Sequence, residues 1–157
     1  MATFYTIDSA NARVPEVAEL LGLLRSQRAD LIRLRDRLVE LGVGDRSSMD
    51  DADGGRSTPR DVATERPAAP AAVDRVEEAR LIHLRIQGVV DQMQASVARL
   101  DSWSITLRDI DTGLIDFPAL AGGRQIWLCW RLGEGPIDWW HGVDDGFAGR
   151  RRIADLV

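Results

Sequence analysis

The chain has 157 residues, a hydrophobic content of 45% and a formal net charge of −5 at pH 7. This length corresponds to one domain, and the negative charge argues against a nucleic-acid partner or an anionic membrane surface. The sequence contains no lysine, which excludes Schiff-base chemistry and a phosphate-binding P-loop. One cysteine cannot form an intramolecular disulfide, and no signal-like start or long apolar run is present, so we expect a cytoplasmic protein.

Two heptad-like patterns predict two long helices, helix one over residues 8–41 and helix two over residues 74–103. Gln27 is the polar step in the first pattern. Asp74 and Glu77 resemble a capping box at the start of the second helix. The apolar positions of the two patterns are Val17, Leu20, Leu24, Leu31, Leu34, Leu38 and Leu41, and then Ala79, Ile82, Ile86, Val89, Met93, Leu100 and Trp103.

The segment between the helices, residues 43–73, is rich in Asp, Gly, Ser, Pro and Ala, which predicts a flexible linker. The helices are similar in length and the linker has a limited reach, so an antiparallel hairpin is favoured. The long Leu and Ile seams predict a homo-oligomer, formed when two hairpins associate into a four-helix bundle.

Residues 104–150 predict an antiparallel β-meander that forms a head on the hairpin. Four strands are expected, separated by glycine-based turns, and a short aromatic and β-branched segment at residues 3–7 could add an N-terminal edge strand. The predicted strands span residues 105–110, 114–118, 125–132 and 137–143. The predicted fold class is therefore α+β within a single domain over residues 1–157: a long antiparallel helical hairpin followed by a small antiparallel β-meander of about four strands.

Simple turn registers predict which side chains share a face of this sheet, because side chains alternate along a strand. Leu128 would face His141, and Trp130 would face Trp139, on an apolar face that the helices cover. The opposite face would carry Asp116, Trp127, Cys129, Arg131, Asp138 and Trp140, with Arg131 paired to Asp138. Cys129 and His141 would then lie on opposite faces, which argues against a Cys–His nucleophile or a metal site, and no metal ligand is predicted.

The register between the first two strands stays open. A two-residue turn would set Asp109 beside Asp116, where the two carboxylates repel each other unless a cation lies between them. A glycine bulge at the turn would instead set Arg108 against Asp116 as an ion pair.

A group of polar and aromatic residues centred on the predicted sheet is the candidate ligand-binding site. Arginine suits bidentate contacts with an anionic small molecule, and tryptophan suits stacking on an aromatic one. A surface ion-pair network without a ligand is the competing interpretation, and neither a cofactor nor a catalytic residue can be named. The candidate residues are Arg131, Glu134, Trp140, His141, Arg150, Asp109 and Asp116.

Three C-terminal motifs, RDIDTGLIDFPA, WLCWRLGE and WWHGVDDGFAGRRRI, resemble the signature of a bacterial family of unknown function, domain-of-unknown-function family twenty-two-zero-three. The N-terminal sequence FYTIDSANARVPEVAELL resembles the start of the same family. The resemblance covers nearly the whole chain outside the linker. It implies a cytoplasmic bacterial protein and implies no activity.

Two classes of function remain open. The first is a non-enzymatic binding or assembly module that self-associates, or grips a protein partner, through a coiled-coil hairpin. The second is a domain that binds a small ligand or a metal, with hydrolysis as one option, and has its site on the β-sheet.

Overall fold

The structure, a computed structural model, describes residues 3–42 and 70–156. They form two compact units: a sheet unit, which runs up to Asp30 and again from Val89, and a helical unit, Leu31–Gly88. The predicted α+β class is confirmed. The elements are α1 (Ile7–Glu40), α2 (Pro70–Ser102), β1 (Thr106–Asp109), β2 (Leu114–Ala121), β3 (Arg124–Arg131), β4 (Trp139–Gly142) and β5 (Arg151–Arg152), with short 3-10 helices at Phe147–Gly149 and Ile153–Asp155.

Both helices begin earlier than predicted. In α1, the Thr6 hydroxyl accepts a hydrogen bond from the Ser9 N–H at 3.1 Å, and the Ser9 hydroxyl accepts one from the Thr6 N–H at 2.9 Å. This reciprocal cap fixes the first turn. Helix α2 begins at Pro70, a residue type that suits a first helical position because its missing N–H needs no partner there. The predicted capping box at Asp74 therefore lies inside α2, and the start at residue 74 is wrong.

The predicted linker is described only at its end. Residues 43–69 lie outside the described residues, and residues 70–73 belong to α2. Within the described ranges, neither helix is both long enough and apolar enough to cross a membrane.

The sheet is a five-stranded antiparallel meander with the order β1-β2-β3-β4-β5. Its inner face packs against α1 and α2, and together they form the core of the sheet unit. The predicted edge strand at residues 3–7 is reduced to one parallel bridge between Tyr5 and Ala119. Strand β5 was not predicted. The largest fully buried side chains of the core include Trp130, Phe117, Leu21, Leu24, Leu100, Ile115 and Leu128.

The β2–β3 hairpin matches its prediction. Gly122 and Gly123 form a two-residue turn with φ of 56° and 75°, a conformation that glycine adopts without strain. Phe117 lies opposite Leu128, as expected, and the inner face of both strands is buried.

The β3–β4 register differs from the prediction by one residue. Leu128 lies opposite Trp140 rather than His141, so every side chain of β4 changes face. The predicted four-residue turn assumed a tight hairpin, whereas the strands are joined by a longer connection over residues 132–138. Two hydrogen bonds hold this connection. Within the hairpin, Trp130 Nε1 donates to the Gly135 carbonyl at 2.9 Å, and outside it the Ile137 N–H donates to Asn11 Oδ1 of α1 at 2.8 Å.

The β1–β2 register follows the bulged alternative. Leu107 lies opposite Ile115 and Asp109 lies opposite Leu114, which leaves Arg108 as the extra residue of a β-bulge. The bulge directs Arg108 toward Asp116, and the expected ion pair is present. The bulge lies within β1 rather than at the glycine of the turn.

The helical unit has a small core of its own. Leu41, Ala79 and Ile82 are buried there, with Leu34, Leu38 and Ile86 packed against them. These residues belong to the two predicted seams, so the helical periodicity is confirmed in this unit. An exposed ion pair between Arg37 and Glu78 at 2.8 Å also joins the two helix segments.

Candidate functional site on the outer face of the sheet

The outer face of the sheet, opposite the core, carries chemistry-bearing side chains on three adjacent strands. Asp116 lies opposite Cys129, Cys129 lies opposite Trp139, and Trp127 lies opposite His141. Residues that lie opposite each other in an antiparallel pair point to the same face. Cys129 and His141 therefore share the outer face, and the prediction that they lie on opposite faces is wrong.

Asp116 and His141 form a buried pair at the centre of this face, with residue exposures of 1% and 2%. His141 Nε2 lies 3.1 Å from Asp116 Oδ2, and Arg108 Nε donates to the same oxygen at 2.6 Å. The Arg108 guanidinium also lies over the Trp127 ring, at 5.1 Å from its centroid. A carboxylate is thus held under a half-exposed guanidinium, in contact with an imidazole that solvent barely reaches.

Cys129 completes what we call the polar cluster: Arg108, Asp116, Cys129 and His141. Its side chain is buried, and burial raises the pKa of the thiol to about 12. The nearby Asp116 carboxylate also raises this pKa, by its charge and by a hydrogen bond, whereas the Arg150 guanidinium lowers it. Cys129 is therefore a protonated, weakly nucleophilic thiol at neutral pH.

A second group lies at the edge of the outer face. Arg150 Nη1 donates to Glu134 Oε1 at 2.9 Å, and Arg131 Nε lies 3.7 Å from the same oxygen. The Arg150 guanidinium contacts the Trp139 and Phe147 rings, at 4.4 Å from each centroid. The charge of Arg150 also lowers the pKa of the Cys129 thiol, so Arg150 links the Arg150–Glu134 ion pair to the polar cluster.

A pocket of about 270 Å³ opens directly over the polar cluster. Arg108, Asp116, His141 and Asp144 are the polar residues of its lining. The remainder of the lining comes from Leu114, Val143, Gly146 and Phe147. Buried polar groups that converge on a concave surface are the usual arrangement of a ligand-binding site.

Five of the seven predicted site residues take part in these two groups, and two do not. The Asp109 carboxylate accepts hydrogen bonds from the Thr112 hydroxyl and backbone, which lower its pKa. Trp140 packs against the core and donates its Nε1–H to the Arg152 carbonyl at 3.1 Å. Asp109 lies opposite Leu114, so the register that would have set it beside Asp116 is not the one adopted, and Trp140 is not on the outer face.

The predicted cross-strand ion pair between Arg131 and Asp138 is also wrong. Asp138 pairs with Arg152 of β5, and Arg131 reaches Glu134 within its own turn. Both differences follow from the longer β3–β4 connection, which moves Asp138 out of register with Arg131.

The sequence interpretation missed two members of the polar cluster and the rings around Arg150. Cys129 was rejected only because the assumed β4 register placed it away from His141. Arg108 appeared only in the bulged alternative for β1. No local pattern marked Trp139 or Phe147 as the rings that contact Arg150, since they depend on the same register and on the turn after β4.

The fold and the outer face define an α+β domain in which a helix pair supports a sheet that carries a buried carboxylate–imidazole–thiol group. The chain belongs to the family described as an uncharacterized conserved protein (DUF2203), whose model matches residues 3–153. This confirms the family resemblance seen in the sequence. No curated protein and no solved structure matches the chain.

Proposed function

We propose that this protein binds a small polar molecule bearing a carboxylate or phosphate group, in the pocket over the polar cluster. The observation that carries the proposal is the buried Asp116–His141 pair beneath Arg108 at the floor of that pocket. A buried charged group destabilises a fold unless it is well paired, so a structural sheet has little reason to hold one here.

Arg108 is the group that would recognise the anionic part of the ligand. Within the described part of the chain, its guanidinium bonds to Asp116 through Nε alone, which leaves both terminal nitrogens for an incoming oxyanion. Asp116 and the Trp127 ring fix the guanidinium plane in advance. A guanidinium held in this way loses less entropy when it forms a bidentate contact.

Thermal shift against a panel of small carboxylates and phosphates tests this proposal. A ligand at a hundred times its Kd stabilises the folded state by about 2.7 kcal/mol, which a melting curve resolves. We expect at least one compound to raise the Tm of the wild type. The same compound should cause no shift in the Tm of Arg108→Ala.

Arg28→Ala is the matched control. Arg28 pairs with Asp111 at 2.9 Å and its side chain is 42% exposed, compared with 41% for Arg108, but it does not line the pocket. The ligand should still stabilise Arg28→Ala. The proposal fails if no compound shifts the wild type, or if both arginine variants respond equally.

A second candidate function is self-association through the helical unit, and the exposed apolar residues of that unit support it. Only three apolar residues are buried among its described residues, whereas several large ones on both helix segments face solvent. A second copy of the chain would cover them in a self-complementary interface. The exposed residues are Ile32, Val39, Val73, Val76, Leu81 and Leu84.

Sedimentation velocity separates this candidate from a monomer. The wild type should sediment as a dimer, and Leu84→Glu should sediment as a monomer because it places a charge in the interface. Leu120→Glu is the control, since Leu120 is similarly exposed but lies on β2 of the sheet unit. A wild type that stays monomeric at tens of micromolar would rule out the second candidate.

A further inference from the structure

The hydrogen bonds around His141 pose a chemical problem. Nδ1 lies 2.8 Å from the Gly142 carbonyl, which can only accept, so Nδ1 carries a proton. Nε2 lies 3.1 Å from Asp116 Oδ2, and that oxygen already accepts from Arg108. In the neutral ring, the Nε2 lone pair would face a carboxylate oxygen. The arrangement therefore requires a proton or a cation between Nε2 and the carboxylate.

Two further features favour a metal cation over a proton. The Cys129 sulfur converges on the same point: one carboxylate oxygen of Asp116, Sγ of Cys129 and one ring nitrogen of His141 all lie within 4.8 Å of one another. In addition, Asp116 Oδ1 is buried and has no partner in hydrogen-bond geometry among the described residues. A proton shared between Nε2 and Oδ2 would leave this second, buried oxygen without a partner.

We propose that Asp116, Cys129 and His141 bind one divalent transition-metal ion of the zinc class. This inference rests on the proposed function, because it assigns an ion to the floor of the same pocket. A sulfur, an imidazole nitrogen and a carboxylate oxygen form a mixed donor set that suits Zn²⁺ and Co²⁺ rather than Mg²⁺ or Ca²⁺.

The surroundings of the three donors suit a bound ion. The hydrogen bond from Nδ1 to the Gly142 carbonyl fixes the tautomer that presents the Nε2 lone pair, an interaction common among metal-binding histidines. Arg108 fixes the Asp116 carboxylate through Oδ2, and the buried Oδ1 is left without a hydrogen-bond partner among the described residues. A carboxylate and a thiolate together neutralise the charge of a divalent cation.

An ion held by three protein donors keeps a coordination position for a further ligand. Because Asp116 and His141 line the pocket, the open coordination position would face the pocket. The oxyanion recognised by Arg108 could then complete the coordination shell. Binding would displace the thiol proton of Cys129, because a coordinated thiol is deprotonated. The groups that face this thiol are Asp116, His141 and Arg150.

Titration of the metal-free protein with Co²⁺ tests the inference directly. The wild type should bind one Co²⁺ per chain and develop the near-ultraviolet absorption of a thiolate–cobalt bond, and Zn²⁺ should then displace the cobalt. Cys129→Ser should lose this absorption. His141→Gln and Asp116→Asn should each weaken Co²⁺ binding by more than about tenfold.

His83→Gln is the matched control, because His83 is the other histidine of the chain and lies exposed on α2, where its Nδ1 contacts the Ala79 carbonyl. This variant should bind Co²⁺ as the wild type does. Circular dichroism establishes that each variant is folded. If Cys129→Ser does not fold, Asp116→Asn, which preserves the shape of the side chain, provides the test of Co²⁺ binding in its place. The metal site is ruled out if the wild type shows no thiolate–cobalt absorption, or if His141→Gln and Asp116→Asn bind as tightly as His83→Gln.

The two proposals can fail separately. If oxyanions stabilise the wild type in the presence of a chelator while no thiolate–cobalt absorption appears, the metal site is overturned and the small-molecule site stands. If the cobalt spectrum appears but no oxyanion shifts the Tm with or without Zn²⁺, the metal site stands and the proposed small-molecule function is overturned.

Discussion

The two faces of the sheet are built on different physical principles. The inner face consists of apolar side chains such as Phe117 and Leu128, whose burial against α1 and α2 stabilises the fold. The outer face buries Asp116 and His141 almost as completely, although neither gains from leaving water. Burial alone therefore does not identify a residue whose role is structural. Burial stabilises the inner face, whereas on the outer face it must be offset by pairing, and binding can supply that pairing.

The largest effect should come from the inner face. Phe117→Ala removes a fully buried ring that also makes an edge-on contact with Tyr5, at 5.1 Å between centroids. We expect it to lower the free energy of unfolding by about 3–5 kcal/mol in urea denaturation. Leu120→Ala is the control on the same strand, and because Leu120 is exposed it should cost less than about 0.5 kcal/mol. Similar losses in the two variants would contradict this assignment of the inner face.

The turn between β1 and β2 should be the next most sensitive position. Gly113 has a φ of 66°, and a Cβ added there would lie 2.6 Å from Leu132 Cβ. Gly113→Ala should therefore destabilise the fold by about 1–3 kcal/mol. Gly122→Ala has a similar φ of 56° but no atom within 4 Å of the added Cβ, so it isolates the cost of the backbone conformation. If the two variants lose the same stability, the contact with Leu132 has no energetic role.

A smaller effect should appear at high pH on the outer face. The pKa of Cys129 is raised from 9.0 to about 12, so above pH 9 the unfolded chain releases a proton that the folded chain keeps. The folded state then binds more protons, and the free energy of unfolding falls as pH rises through this window. The Cys129→Ala variant has no thiol, so its free energy of unfolding should lack this part of the fall above pH 9.

The measurement is urea denaturation of the metal-free wild type and of Cys129→Ala at a series of pH values from 7 to the alkaline limit of solubility. Below the pKa of the thiol in the unfolded chain, the difference in the free energy of unfolding between the two proteins should not change with pH. Above pH 9 it should shift in favour of the variant. Parallel pH dependences would show that the Cys129 thiol titrates equally in both states.

The smallest effect should come from the exposed edge of the outer face. The Arg131 side chain is 44% exposed and lies 3.7 Å from Glu134, so Arg131→Ala should cost at most about 1 kcal/mol. Glu134 should matter more, because its less exposed carboxylate also holds Arg150 at 2.9 Å and accepts the Arg131 backbone N–H. Thermal denaturation of Arg131→Ala and Glu134→Ala compares them, and a larger loss for Arg131→Ala would contradict this ranking.

The sequence by itself determined the features that depend on local periodicity and turn chemistry. The apolar seams predicted α1 and α2, because a helix repeats its buried positions every three or four residues. Gly122 and Gly123 predicted the β2–β3 turn and its register, since a two-residue turn leaves only one pairing for the strands. The motifs along the same stretch were enough to indicate the family.

Only the tertiary structure decided which residues form the site. The β4 register depends on contacts outside the hairpin, such as the bond between the Ile137 N–H and Asn11 of α1, which no local pattern encodes. A one-residue shift exchanged the faces of Trp139 and Trp140 and brought His141 to Cys129, because side chains alternate strictly along a strand. The pairing of Arg108 with Asp116 was one of two registers left open by the sequence, and the structure reaches it through a bulge within β1 rather than at the glycine of the turn.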